Sequence, residues 1–175
     1  KLLTFYKLFY QHRFKKANLI LKLYLLIITP IKYLFNLIYL PKIIDLDKSQ
    51  KKYDLVDIND LSKLFDYFNS DKGNYYENQY TQPSKRTPER IRAHGYSIFY
   101  QQYFKDLKHK KMNILEIGSF HGNASAALFF YFKNSNLFAG DIYPDLFRYK
   151  SNRIKNFYVN SSEEKSIQKN IIDNF

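Results

Sequence analysis

A chain of 175 residues with 45% hydrophobic and 19% aromatic residues suits one domain plus an appendage and buries a real core, which excludes a disordered protein. With no cysteine it has no disulfide framework or thiolate metal site, and its four histidines (His12, His94, His109, His121) show no zinc spacing. The formal net charge of +12 is concentrated: residues 1 to 42 hold eight Lys/Arg and no Asp or Glu, and because they are also the most apolar part, nucleic acid is disfavoured as a partner.

On a helical wheel this first segment places Lys7, Gln11, Lys15, Asn18, Lys22, Thr29, Lys32 and Asn36 within roughly 60° of one line, leaving the rest of the arc mostly apolar. Interrupted by Lys22 and Lys32 and containing Pro30, the apolar run falls short of the roughly 18 charge-free residues of a spanning helix. The expectation is an amphipathic arm, residues 1–42, lying in a membrane interface with its lysines toward anionic head groups; packing on a partner is the alternative. That places the protein in the cytoplasm, peripheral at the membrane. Residues 43–56 read as a polar linker after Pro41.

From Asp57 to Lys111 the pattern predicts a helical subdomain. Ile58, Leu61, Leu64, Phe65 and Phe68 have helical spacing with Asn59 or Asp60 as a cap, "NSDKGNYY" is a turn by composition, 77–90 is an exposed loop, and a second helix runs from about Ile91 to Leu107. Then "NILEIGSFHGNASAALFFYF" gives a strand from Ile114 to Ile117, too uniformly apolar for an exposed hairpin, which suits a central parallel strand. Asn123 is placed to cap a helix reaching about Lys133, with Phe129, Phe130 and Phe132 as core. "LFAGDI" makes a second strand closing on Asp141, "NFYV" a third, and "SSEE" at 161–164 a capping box for a last helix.

Strand, helix, strand, loop and strand over 112–175 make the first part of a doubly wound α/β sheet. Ligands in such sheets lie beyond the carboxyl ends of the strands, where Gly118, Gly122 and Asp141 fall. Gly118 permits a sharp turn, Gly122 a close approach, and the helix N-terminus behind them offers free N–H groups. Asp141 stands 19 residues after Gly122, a spacing suited to a carboxylate that accepts hydrogen bonds from ribose hydroxyls. A dinucleotide loop needs G-x-G-x-x-G; here Phe120 fills the middle position, which disfavours a nicotinamide-dependent dehydrogenase.

"LEIGSFHGNASAAL" resembles the first motif of class I S-adenosylmethionine-dependent methyltransferases, with Glu116 two residues before the first glycine, and "FAGDIYPD" resembles the motif that follows it. With "FNSDKGNYY" and "HGYSIFYQQYF" upstream, residues 66–175 are similar to the macrocin O-methyltransferase and cephalosporin hydroxylase group. The resemblance implies a Rossmann-like fold, S-adenosylmethionine as cofactor, and methylation of a hydroxyl of a sugar or glycosylated metabolite. It implies a pocket bordered by Ser70, Asp71, Lys72, Gly73, His94, Tyr96, Glu116, Gly118, Ser119, Gly122, Asn123 and Asp141. His94 and His121 are the nearby candidates for a catalytic base; no metal ligands are assigned. In this group acidic residues after a fourth strand carry metal or base chemistry. The chain starts at Lys1 without a methionine and stops at Phe175, so a fragment is expected, and any divalent metal would fall to residues past its end. A non-catalytic or oxidative relative, and a membrane-attached scaffold, are the other classes considered.

Overall fold

The computed structural model describes residues 18–35, 42–49, 59–77 and 90–174. They form a mixed α/β structure with six α-helices and three small sheets, none closed into a barrel. Helix α1 (Leu19–Leu34) starts at Asn18, whose side chain accepts from Leu21 N–H at 2.8 Å, and continues through Pro30. The remainder of the predicted arm, 1–17 and 36–41, lies outside the described residues, and no described helix is long and apolar enough to cross a membrane.

Residues 44–49 are not a linker. Strand β1 (Ile44–Asp45) pairs in parallel with β6 (Tyr149–Lys150), and α2 (Leu46–Ser49) buries Leu46 completely. Asp47 clasps the far side of the chain, accepting from Ser151 Oγ and Asn152 N–H at 2.8 Å each. A two-residue ladder has no periodic signature, so the sequence conceals this docking.

Helix α3 (Leu61–Tyr67) is capped by Asp60, whose carboxylate accepts from the N–H groups of Ser62 and Lys63, and it buries Leu61, Leu64 and Phe65 as their spacing predicts. The second predicted helix begins later than expected. Ile91 belongs to β3 (Arg90–Arg92), antiparallel to β2 (Tyr75–Glu77), and α4 starts only after Gly95, spanning Ser97–Phe104. Most of the expected 77–90 loop lies outside the described residues.

Among the described residues the core sheet is parallel, in the order β4 (Asn113–Ile117), β5 (Asn136–Asp141), β7 (Ile154–Tyr158). Helix α5 (Asn123–Tyr131) joins the first two strands and packs against α3. Every residue from Ala124 to Tyr131 is buried, which explains why this stretch lacks an amphipathic period. Its phenylalanines are core as expected: Phe129 and Phe130 meet edge to face, and Phe130 stacks on Phe68. The end of α5 is held by Arg153, which donates to the carbonyls of Phe129, Phe132 and Ser135 at 2.8–3.0 Å and lies over the Phe129 ring.

Two caps differ from expectation. Left-handed Gly122 is the N-cap of α5, and Asn123 instead donates from its side chain to the Asn69 carbonyl at 2.9 Å. The capping box at 161–164 does not form: Asn160 takes the Ser162 N–H at 3.1 Å, and α6 (Glu164–Asn170) begins two residues later than the box would place it.

Candidate functional site

Strand β4 ends where Gly118 enters the left-handed region at φ 80°. The N–H groups of Gly118 and Ser119 both donate to the Gly140 carbonyl, at 2.8 and 3.2 Å, which curls the loop over the end of β5. Phe120 is also left-handed, at φ 43°, an unfavourable conformation for a bulky side chain. Asp141 pins it: one carboxylate oxygen accepts from Phe120 N–H at 2.7 Å and the other from Tyr143 N–H at 2.8 Å. Gly122, again at φ 80°, closes the loop by donating to the Ser119 carbonyl at 2.7 Å.

The two glycines differ in what surrounds them. A Cβ on Gly118 would meet nothing within 4 Å, whereas one on Gly122 would lie 2.4 Å from the ring of buried Phe147. Gly118 therefore opens space beside the strand end, and the approach that Gly122 permits is that of Phe147.

The "SDKG" turn is tied to the second upstream motif through main-chain bonds. His94, Gly95 and Ser97 donate their N–H groups to the carbonyls of Asp71, Gly73 and Lys72, at 2.8–3.0 Å, so the β2–β3 pairing brings the two upstream motifs together across residues 78–89. Gly73 is a packing position, since a Cβ there would lie 2.3 Å from the Asp66 carboxylate. Ser70 accepts Lys72 N–H on its hydroxyl at 3.3 Å and fixes the turn.

The resulting cleft is lined by Ser70, Asp71, Lys72, Glu116, Gly118 and Ser119, with Phe120, His121, Asn123 and Ala124 completing it. The cleft has a cavity volume of about 40 Å³ and opens to solvent. Lys72 Nζ lies 3.3 Å from Glu116 Oε1 and 3.8 Å from Asp71, an ion pair that is not a well-aligned hydrogen bond. The other Glu116 oxygen accepts from Ser125 Oγ on α5. Burial pulls the Lys72 ammonium down, but the carboxylates of Glu116 and Asp71 outweigh it and hold its pKa above the ordinary value. Ser119 is 5% exposed, and its hydroxyl has no hydrogen-bond partner.

Of the other expected site residues, Asp141 stands behind Phe120 and outside the lining, while Tyr96 is exposed and stacks on His94. His94 is exposed, 3.8 Å from Asp71 Oδ2. His121 stacks on Phe120, and its Nε2 lies 3.4 Å from Arg148 Nη2. Burial chiefly, and the Arg148 cation next, push its pKa down from 6.5 to about 4, with Asp141 opposing. The ring is therefore neutral at pH 7 and a weak base. No cluster of three or more metal-ligating side chains exists among the described residues. The wall residues Phe120 and Ala124 carry no motif signal of their own; the unusual Phe between two glycines was the available sign.

A proton titration of the His121 ring by NMR is expected to give a midpoint near 4, rising when Arg148→Met removes the adjacent charge. Because this pKa lies below the ordinary 6.5, the stability His121 contributes is present above pH 6.5 and lost as pH falls toward 4. A midpoint at 6.5 would show the ring to be fully hydrated.

No protein-family model, curated protein or solved structure matches this chain.

Proposed function

We propose that the chain is an S-adenosylmethionine-dependent methyltransferase that methylates a sugar or glycosylated metabolite hydroxyl, built on a Rossmann-like doubly wound sheet that includes β4, β5 and β7. The observation that carries this reading is the meeting of the S-D-K turn with the glycine loop, Lys72 against Glu116, in one cleft at the carboxyl end of β4. Opposite charges side by side match the zwitterionic amino-acid end of the cofactor: Glu116 would take its ammonium and Lys72 its carboxylate. Ser119 offers a buried hydroxyl in want of a partner. Asp141 accepts one backbone bond on each oxygen and keeps lone pairs for ribose hydroxyls.

When bound, the cofactor supplies an electrophilic methyl on a sulfonium. The chain's own part is alignment: the pinned loop from Gly118 to Gly122 and the ladder-held turn fix the two charged walls before any ligand arrives. Neither histidine earns the role of base, since neutral His121 is a weak one and His94 stands outside the cleft.

The test is calorimetry on the full chain with S-adenosylhomocysteine and, separately, NAD. Ser119→Ala is expected to leave stability unchanged or raise it by about 1 kcal/mol, because it removes an unsatisfied buried hydroxyl, while weakening homocysteine-adduct binding roughly five- to tenfold. Preferential NAD binding, or adduct binding indifferent to Ser119→Ala, would sink the proposal. Failure to bind either ligand would select a binding-only scaffold, a reading favoured by Asp141's two bonds to its own backbone.

A further inference from the structure

Helix α1 exposes a broad apolar arc. At 100° per residue, Leu19, Leu23, Leu34, Ile27, Ile20 and Ile31 fill an arc of about 120°, with Pro30 the one other residue inside it. All six are exposed, Ile20 to 80%, while Thr29 on the opposite side is 7% exposed and Lys22 beside it is half buried. An amphipathic helix packed on its own domain shows the reverse pattern.

We propose that this arc is a docking face for an anionic lipid bilayer, with the helix lying flat between the membrane and the rest of the protein. Charge complementarity selects that occupant: residues 1–42 carry eight basic side chains and no acidic one. Length sets the orientation, since 16 residues at 1.5 Å each give about 24 Å, short of the roughly 30 Å of a hydrocarbon core. Leucine and isoleucine enter the acyl boundary, while Lys22 and Lys32, in the polar stripe with Thr29 on the side away from the arc, add long-range attraction to the anionic surface. This holds whether or not the cleft is a methyltransferase site.

The experiment is co-sedimentation of the full chain with vesicles of phosphatidylcholine alone and of phosphatidylcholine mixed with phosphatidylserine. The wild type is expected to pellet with the mixed vesicles and at least tenfold less with the neutral ones. Lys22→Gln/Lys32→Gln should weaken the mixed-vesicle binding by about tenfold or more, and raised salt should mimic it. Ile20→Glu/Ile27→Glu should abolish it without shifting the melting temperature, since both positions are open to solvent. Wild-type protein left in the supernatant with mixed vesicles overturns the proposal. So does a double glutamate variant that pellets normally, or one that instead dissociates a wild-type oligomer in sedimentation velocity while vesicle binding is absent, which would assign the face to a second copy.

Discussion

Gly122→Ala is expected to destabilise the protein by about 2–5 kcal/mol, read from the shift of the denaturation midpoint. Two costs add at this position. A left-handed backbone is worth about 1–2 kcal/mol against any residue with a Cβ, and forcing that Cβ into Phe147, at 2.4 Å, adds an overpacking cost of about 1–3 kcal/mol. Gly118→Ala separates them, because Gly118 has the same φ of 80° and nothing within 4 Å. It should cost the backbone part alone. Adding Phe147→Leu to Gly122→Ala should recover the steric part by making room. Equal losses at the two glycines, or no recovery, would refute this account.

Removing either partner of the Lys72–Glu116 pair is expected to cost about 2–3 kcal/mol, somewhat below the loss for a fully enclosed pair because the Lys72 side chain keeps 23% of its exposure. Glu116→Ala strands both the ammonium and the Ser125 hydroxyl; Lys72→Met leaves the Glu116 carboxylate uncompensated in a buried position. The double variant Lys72→Met/Glu116→Ala should lose at least about 1 kcal/mol less than the sum, which a double-mutant cycle measures. The pH dependence has a definite sign. Lys72 is held above the ordinary 10.5, so the pair's contribution is complete below pH 10.5 and disappears as pH rises through the raised value. Strict additivity, or alkaline unfolding unchanged by Lys72→Met, would mean the two groups do not interact.

What the sequence makes legible follows from where its signals are local. The β4–α5–β5 unit announces itself through an apolar run broken by Gly118 and Gly122, and α3 through Asp60 ahead of its helical spacing. What stays hidden depends on partners distant in the chain. The strand character of Ile91 appears only once Tyr76 is opposite it, and the docking of residues 44–49 only once Tyr149 is in place. The capping box did not form because Asn160, just before it, turns the chain, its side chain accepting from Ser162 N–H and its carbonyl from Glu163 N–H. For the cleft, the expected residues Ser70, Asp71, Lys72, Glu116, Gly118, Ser119 and Asn123 do share one wall-to-wall space, but Gly73, His94, Tyr96, Gly122 and Asp141 stand outside it. Motif spacing locates a segment; whether its side chain faces the cleft or the packing behind it is decided by tertiary contacts.

The ladder that ties Asp71 and Lys72 to the second upstream motif is built from main-chain groups: N–H of Ala93, His94, Gly95 and Ser97 to carbonyls of Asn74, Asp71, Gly73 and Lys72. Side chains hold the rest: Ser70 and Asp66 accept main-chain N–H groups of the turn, and Asn123 ties it to the start of α5 by donating to the Asn69 carbonyl. Substitution at Ala93 or His94 therefore leaves the bond to the turn in place. Proline is the exception at these positions, because it deletes the donor.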